Sequence, residues 1–369
     1  MSTTAGDNIP IEGLDVSVYE IPTDQVESDG TLTWDSTTMV LVRARAGGRT
    51  GIGYTYAGPA AATVISSKLA GVVKGRDALA VGASWDAMVH AIRNLGRPGI
   101  VGTAISAVDV ALWDLKARLL NVPLVVAIDA FHETVPIYGS GGFTSYTLAT
   151  LADQLAGWVE AGIPRVKMKV GRHPEQDGDR LRVALDAIGG RATLFVDANG
   201  AYQRKQALAW ARCYAEAGVT WLEEPVSSDD LEGLHLLVEH GPPGLDITAG
   251  EYGYDLPYFQ RMLDARAVDC LQADVTRCGG ITGFLMVGAL CDARGMDLSA
   301  HCAPQVSAHA CTAIWHLRHL EYFHDHERIE RIFFDGVLEP EPGGVLRPDR
   351  SRPGLGLEFK EADAARFAT

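Results

Sequence analysis

Little in this 369-residue chain is basic: 32 Lys and Arg stand against 47 Asp and Glu, a net charge of −15. Such a surface gives no footing to nucleic acid as a main partner, nor to an anionic membrane. Long apolar runs are also missing, so no transmembrane span is expected. Met1 to Gly13 has neither the basic start nor the apolar centre of a signal peptide. None of the six cysteines, Cys213, Cys270, Cys278, Cys291, Cys302 and Cys311, makes a C-x-x-C pair. A chain of this length needs no disulfide staples, and reduced thiols in a cytoplasmic protein are the expectation. An anionic small substrate stays open, because a bound metal and a few lysines reverse the field locally.

What is present has a clear order. Residues 11–20 and 38–46 are rich in Val, Ile, Leu and Thr and read as strands, and Gly47-Gly48-Arg49-Thr50-Gly51 turns into a third at Ile52 to Tyr56. Residues 21–37 are then a long link, a length more often functional than idle. From Ala60 to Leu120 the pattern is helical. Strands followed by helices predict an α+β domain over residues 1–130. From Val135 short apolar runs alternate with helical segments, about eight times in roughly 190 residues, which is the signature of a (β/α) barrel over residues 131–335. The Pro- and Gly-rich residues 336–369 are expected to cross back to the first domain.

The predicted strands end in residues a buried strand has no use for. They are Lys169, Asp197 in FVDANG, Glu223 in WLEEP, Glu251 in TAGE, Asp274 in LQADV, His301 in LSAHC and Glu321 in HLEY. Their spacing, roughly 20 to 28 residues, is about one β/α unit, and in a barrel such residues converge at the C-terminal mouth, where active sites lie. Asp197, Glu223 and Glu251 fall on consecutive strands. Three packed carboxylates repel unless a cation lies between them, and oxygen-only ligands suit Mg²⁺, with Mn²⁺ as second choice. Taken singly, each acid could merely cap the helix that follows. Asn199 either turns the chain at Asn199-Gly200 or reaches the metal through water, and Glu224, beside Glu223, is expected to point elsewhere. Strand alternation puts Lys167 and Lys169 on one face, where mutual repulsion lowers the pKa of at least one and makes a base near neutral pH. Asp274, one strand before His301, would fix its tautomer and make it a second acid/base. Glu321, if kept protonated, could donate to a substrate oxygen.

Lys167-Met168-Lys169, the Asp197/Glu223/Glu251 set with D-x-N, E-E-P and G-E motifs, and the Asp274–His301 pair resemble the enolase superfamily, specifically its mandelate racemase subgroup. The resemblance covers nearly the whole chain and implies a modified (β/α)7β barrel with an α+β capping domain. Arg277 departs from it, standing where some members carry lysine. The resemblance also implies a chemistry, in which a carboxylate substrate on Mg²⁺ loses its α-proton through an enediolate. It assigns Lys169 as base on one face, with Lys167 holding the substrate carboxylate and depressing the pKa of Lys169. His301, oriented by Asp274, is acid/base on the other face, and Glu321 is a hydrogen-bond donor. Protonation of a leaving 3-hydroxyl gives a sugar-acid dehydratase, return of a proton to the α-carbon a racemase or epimerase, and loss of a ring oxygen a cycloisomerase. Dehydration of a sugar acid to a 2-keto-3-deoxy acid is the reading favoured by analogy. Specificity is expected from Ile21 to Thr37 and Tyr54 to Ala60, with Trp34, Tyr54 and Tyr56 each either lining the pocket or packing in the core, and a homo-oligomer is expected by resemblance. A non-catalytic binding protein on the same fold is the rival of another class; it predicts loss of a catalytic side chain, and none is missing.

Overall fold

The computed structural model describes residues 8–369. Its first unit is a three-stranded antiparallel sheet of β1 (Gly13–Ser28), β2 (Thr33–Ala46) and β3 (Arg49–Tyr56). The helix Ile100–Leu120 packs on this sheet through its alanines. A Cβ at Gly51 would lie 2.3 Å from Leu115 N, and one at Gly53 would lie 2.4 Å from Ala107 O. The G-x-G of β3 is therefore what lets helix and strand meet backbone to backbone.

The long link expected over residues 21–37 is instead a hairpin. β1 runs on to Ser28, β2 starts at Thr33, and the ladder shifts register between Pro22 and Glu27. Proline offers no ladder donor, so the regular pairing breaks there and resumes beyond it. At the tip Asp29 accepts the amides of Thr31 and Leu32, each at 2.6 Å. Gly30 lies against the barrel: a Cβ there would sit 2.2 Å from Ala198 O and 2.9 Å from Val170 O.

Eight parallel strands form the barrel: β4 (Val135–Gly141), β5 (Arg165–Lys169), β6 (Thr193–Asp197), β7 (Trp221–Glu223), β8 (Asp246–Ala249), β9 (Cys270–Ala273), β10 (Leu298–Ala300) and β11 (Leu317–Phe323). Each pairs with the next, and β11 returns to β4 through Leu320↔Ile137 and Phe323↔Ser140, which closes the ring. The final strand, the least regular in sequence, is thus the one that completes the barrel. Tyr138, Phe195 and Trp221 fill one buried layer inside it. The tail returns to the first unit: Leu355 N donates to Asp114 at 2.7 Å and Thr369 N to Val18 O at 3.1 Å. Two joints, one from the sheet and one from its helix, fix the capping unit against the barrel. Thr55 donates to Thr276 O at 2.8 Å, and buried Asp109 accepts from Thr282 N and Oγ1 at 2.9 and 2.7 Å. Among the described residues no helix is long and apolar enough to cross a membrane, and all six cysteines are free.

Candidate active site and metal centre

Parallel register gathers the strand-end residues into one layer. Lys169 stands opposite Asp197, and Asp197 opposite Glu223. Glu251 follows Gly250, whose φ of 138° and close approach to Gln272 turn the chain sharply out of β8. Ligand oxygens of Asp197, Glu223 and Glu251 all lie within 4.8 Å of one another, and all three residues are buried. Asn199 Oδ1 and Glu224 Oε1 are buried without hydrogen-bond partners. A buried all-oxygen set with unpaired acceptors nearby fits a hard divalent cation. Glu224 does not point away as expected. It is buried, its φ is 39°, and burial with the charges of Glu251 and Asp197 pushes its carboxyl well up.

The two lysines neutralise this acid layer. Lys167 Nζ donates to both oxygens of Glu223 at 2.7 Å and pairs with Glu321 Oε1 at 2.8 Å; Lys169 Nζ donates to Asp197. The expected depression of Lys169 by Lys167 is present, and the acid layer opposes it. Burial and Lys167 both push Lys169 down, but the adjoining Asp197 carboxylate outweighs them and its pKa is raised. Lys167 is raised likewise, burial being outweighed by Glu223 and Glu321. Lys167 is fully buried below the cavity lining, engaged with carboxylates where a substrate contact was expected. Glu321 is also not the protonated donor anticipated. Burial raises its carboxyl, but Lys167 and His301 hold it well below the usual carboxylate range, so it accepts.

On the other side His301 Nδ1 bonds Asp274 Oδ2 at 2.7 Å, and Asp274 Oδ1 takes Thr276 N and Oγ1 at 2.6 and 2.7 Å. The carboxylate is thereby fixed and fixes the ring. His301 Nε2 lies 3.2 Å from Glu251 Oε2 and 3.4 Å from Glu321 Oε2. Burial opposes charge on this imidazole, yet Cys302 and the carboxylates of Glu251 and Glu321 raise its pKa. Arg277 bridges the metal set and the His301 support, with Nη1 3.1 Å from Glu251 O and Nε 3.4 Å from Asp274 Oδ2.

Lys169, Asn199, Glu251, His301 and Glu321 border one cavity of about 350 Å³, within the range of small-molecule sites. Its far wall comes from the capping unit, including Asp29, Leu32, Trp34, Thr37 and Tyr56. Trp34 and Tyr56 thus reach the cavity, whereas Tyr54 does not. Tyr54 is fully buried, stacks on Phe334 and donates to Glu330 at 2.7 Å; it shares a face of β3 with Tyr56 but lies two residues back from the strand end that meets the cavity. Sequence reasoning missed Cys302, Tyr252 and His326, all of which line the cavity. Cys302 was findable as the residue following His301; its Sγ lies 3.3 Å from His301 Nε2. His326 gave no local signal.

Two family profiles match the chain: "Mandelate racemase / muconate lactonizing enzyme, N-terminal domain" over residues 25–128 and "Enolase C-terminal domain-like" over residues 150–363. A mandelate racemase/muconate lactonizing enzyme-like protein from Rubrobacter xylanophilus is 60% identical, with TM-score 0.95 over 98% of this chain and 100% of that one. The 3,6-anhydro-alpha-L-galactonate cycloisomerase of Streptomyces coelicolor is 31% identical over 95% of this chain and 98% of its own length. The structure of L-talarate/galactarate dehydratase from Salmonella typhimurium, liganded with Mg and L-lyxarohydroxamate, superposes with TM-score 0.89 at 27% identity, over 100% of this chain and 95% of that one.

Proposed function

The chain belongs to the mandelate racemase/muconate lactonizing enzyme family of the enolase superfamily, and on that premise we propose that it is a Mg²⁺-dependent enzyme that removes the α-proton of a small sugar acid and eliminates the β-oxygen, giving a 2-keto-3-deoxy acid. The observation that carries this reading is that Lys169 and His301 border the same cavity as Glu251 and Glu321. An acid/base is thus available from two separate strands above one carboxylate set.

Asp197, Glu223 and Glu251 are the residues that would hold the ion. When bound, Mg²⁺ supplies charge that offsets the three carboxylates and stabilises the negative charge developing on the substrate carboxylate. Lys169, whose pKa Asp197 would no longer hold up once that carboxylate is given to the ion, takes the α-proton at its unprotonated Nζ. His301, set by Asp274, gives a proton from Nε2 to the hydroxyl oxygen leaving C3, so that it departs as water rather than as hydroxide. Lys167 holds Glu223 and Glu321 in place from below. Glu321, ionised here, steadies the proton on His301. The capping wall excludes water around the developing charge.

Cycloisomerisation is the second reading, favoured by the full-length match to the Streptomyces coelicolor relative. It differs only in that the leaving oxygen belongs to a ring of the substrate. The six free thiols fit the reducing cytoplasm in which we place the enzyme, and light scattering tests its expected homo-oligomeric state. Proton NMR in D₂O with Mg²⁺ and a panel of sugar acids, lactones and anhydro acids tests the reaction. Formation of a 2-keto-3-deoxy acid supports elimination. Deuterium uptake at the α-carbon without elimination moves the reading to racemase or epimerase. Binding without either would leave a binding protein.

A further inference from the structure

Cys302 follows His301 just beyond β10, and neighbours along an extended strand point to opposite faces. Cys302 does not obey that rule. Its φ is 51°, in the left-handed region, and its Sγ lies 3.3 Å from His301 Nε2 and 3.2 Å from Glu321 Oε2. Glu321 comes from the adjoining strand β11, one place beyond the Ala300↔Leu320 pair, and its Oε2 lies 3.4 Å from His301 Nε2. A nitrogen, a sulfur and an oxygen thus form a triangle. A tetrahedral Zn²⁺ ion, with bonds of about 2.0 to 2.2 Å to nitrogen and oxygen and about 2.3 Å to sulfur, holds its ligand atoms about 3.3 to 3.6 Å apart. The triangle is already close to that size.

Two of the three ligands are fixed from behind. His301 Nδ1 bonds Asp274 Oδ2 at 2.7 Å, and Asp274 is itself held by Thr276. A metal-ligating histidine nearly always has its other ring nitrogen supported in this way, which leaves Nε2 to the ion. Glu321 Oε1 is paired with Lys167 Nζ at 2.8 Å, which leaves Oε2 free to coordinate. Beside the triangle Glu251 Oε2 is buried without a hydrogen-bond partner and lies 3.2 Å from His301 Nε2. A buried oxygen without a donor, next to three ligand atoms, marks a place that lacks a cation. His301, Cys302, Glu321 and Glu251 all border the cavity, so an ion has a way in and a fourth position can be filled from it. The donor set also separates this place from the carboxylate layer. Mg²⁺ takes oxygen, whereas Zn²⁺ accepts sulfur, nitrogen and oxygen together.

We propose that His301 Nε2, Cys302 Sγ and Glu321 Oε2 form a second cation site, selective for Zn²⁺ over Mg²⁺, and that zinc held there inhibits the enzyme. The thiol gives its proton to the buffer as the Zn–S bond forms. Nε2 then carries the ion and has no proton to give. The site stands on its own geometry, while the inhibition rests on the acid/base role of His301.

The test uses the full-length protein with Mg²⁺ in saturating excess. Zinc is added against a chromophoric chelator of known affinity, and Co²⁺ serves as its coloured stand-in. One equivalent of zinc should bind with Mg²⁺ still present, and Co²⁺ should give a thiolate-to-metal charge-transfer band in the near ultraviolet. Cys302→Ser should remove the band and weaken zinc by at least about 100-fold. Cys213→Ser, which removes the exposed thiol, should do neither. Zinc that fails to bind, or that binds only when Mg²⁺ is withdrawn and without the band, overturns the site. So does a band that survives Cys302→Ser or is lost from Cys213→Ser. Should Cys302→Ser fail to fold, X-ray absorption at the zinc edge of the wild type decides. One sulfur among nitrogen and oxygen ligands supports the site, and a shell without sulfur refutes it. Turnover of the sugar acid that reacts is then followed by NMR at rising zinc occupancy. It should fall in step with occupancy and return when the chelator withdraws the zinc. Cys302→Ser should need at least about 100-fold more zinc for half-inhibition of its own rate. Zinc bound through Cys302 with turnover unimpaired upholds the site, overturns the inhibition and defeats the role of His301 in the reaction.

Discussion

Glu330 is a fully buried acid that joins the capping sheet to the barrel, and replacing it with glutamine should change how stability depends on pH. Its Oε1 accepts from Tyr54 at 2.7 Å and Tyr56 at 3.3 Å, both from β3, and its Oε2 accepts Gln305 N at 3.1 Å. Burial raises the carboxyl from 4.5 to about 8, although these three hydrogen bonds pull the other way. A raised acid stabilises the fold fully below its unfolded value and loses that contribution as pH climbs to the folded one. Between 4.5 and about 8 the unfolded chain is ionised while the folded chain keeps the proton. The fold therefore loses ~1.4 kcal/mol for each pH unit, about 5 kcal/mol in all. Glu330→Gln cannot titrate. Urea unfolding of both proteins from pH 6 to 9 should show the variant gaining on the wild type by ~1.4 kcal/mol per unit up to about pH 8, then levelling. Lost hydrogen bonds move the offset between the curves but not this slope. Glu27, also raised to about 8 by burial, and Asp109, raised to about 7, titrate in both proteins and cancel in the difference. A difference that stays flat from pH 6 to 8 would refute the reasoning.

Lys169→Ala and His301→Ala should each abolish turnover while leaving the thermal transition in place; wild-type turnover by either on the true substrate defeats the acid/base assignment. Asp274→Asn keeps the shape but gives His301 an amide in place of a carboxylate, and should lower kcat by about 100-fold or more at unchanged Mg²⁺ affinity. Chelation should stop turnover, and added Mg²⁺ or Mn²⁺ should restore it; a chelated protein that works at full rate has no need of the carboxylate set. Gly30→Ala puts a methyl group 2.2 Å from Ala198 O, so the hairpin must lift. A fall in kcat/KM of about tenfold is expected, with Mg²⁺ affinity intact, and an unchanged kcat/KM would mean that the tip does not shape the cavity.

How much of this site could be read from sequence depends on the distance over which each feature is specified. The barrel was legible because its signal is local and repeated: an apolar run, a polar terminal residue, then a helix, eight times over. Once the strands are taken as parallel neighbours, their terminal residues must share a layer, which is how Asp197, Glu223 and Glu251 come together. The same logic adds a second charge to the reading of Lys169. Lys167 is two residues away along the chain, but Asp197 is directly opposite across the ladder. The carboxylate is the nearer charge in space, and it sets the sign of the shift. The capping wall was harder because nothing repeats there. Tyr54 and Tyr56 both look like pocket residues, and only their packing against the helix His324–Phe333 separates them: Tyr54 is closed off between Phe334 and Glu330, while Tyr56 stacks on His326 at the cavity. His326 itself is held at the cavity by the amide of Ala303, whose φ is 44°, and by the ring of Tyr56 stacked on it. The layer at the mouth follows from strand periodicity, whereas the capping wall is joined to the barrel by contacts between segments some 270 residues apart, and those exist only once the chain has folded.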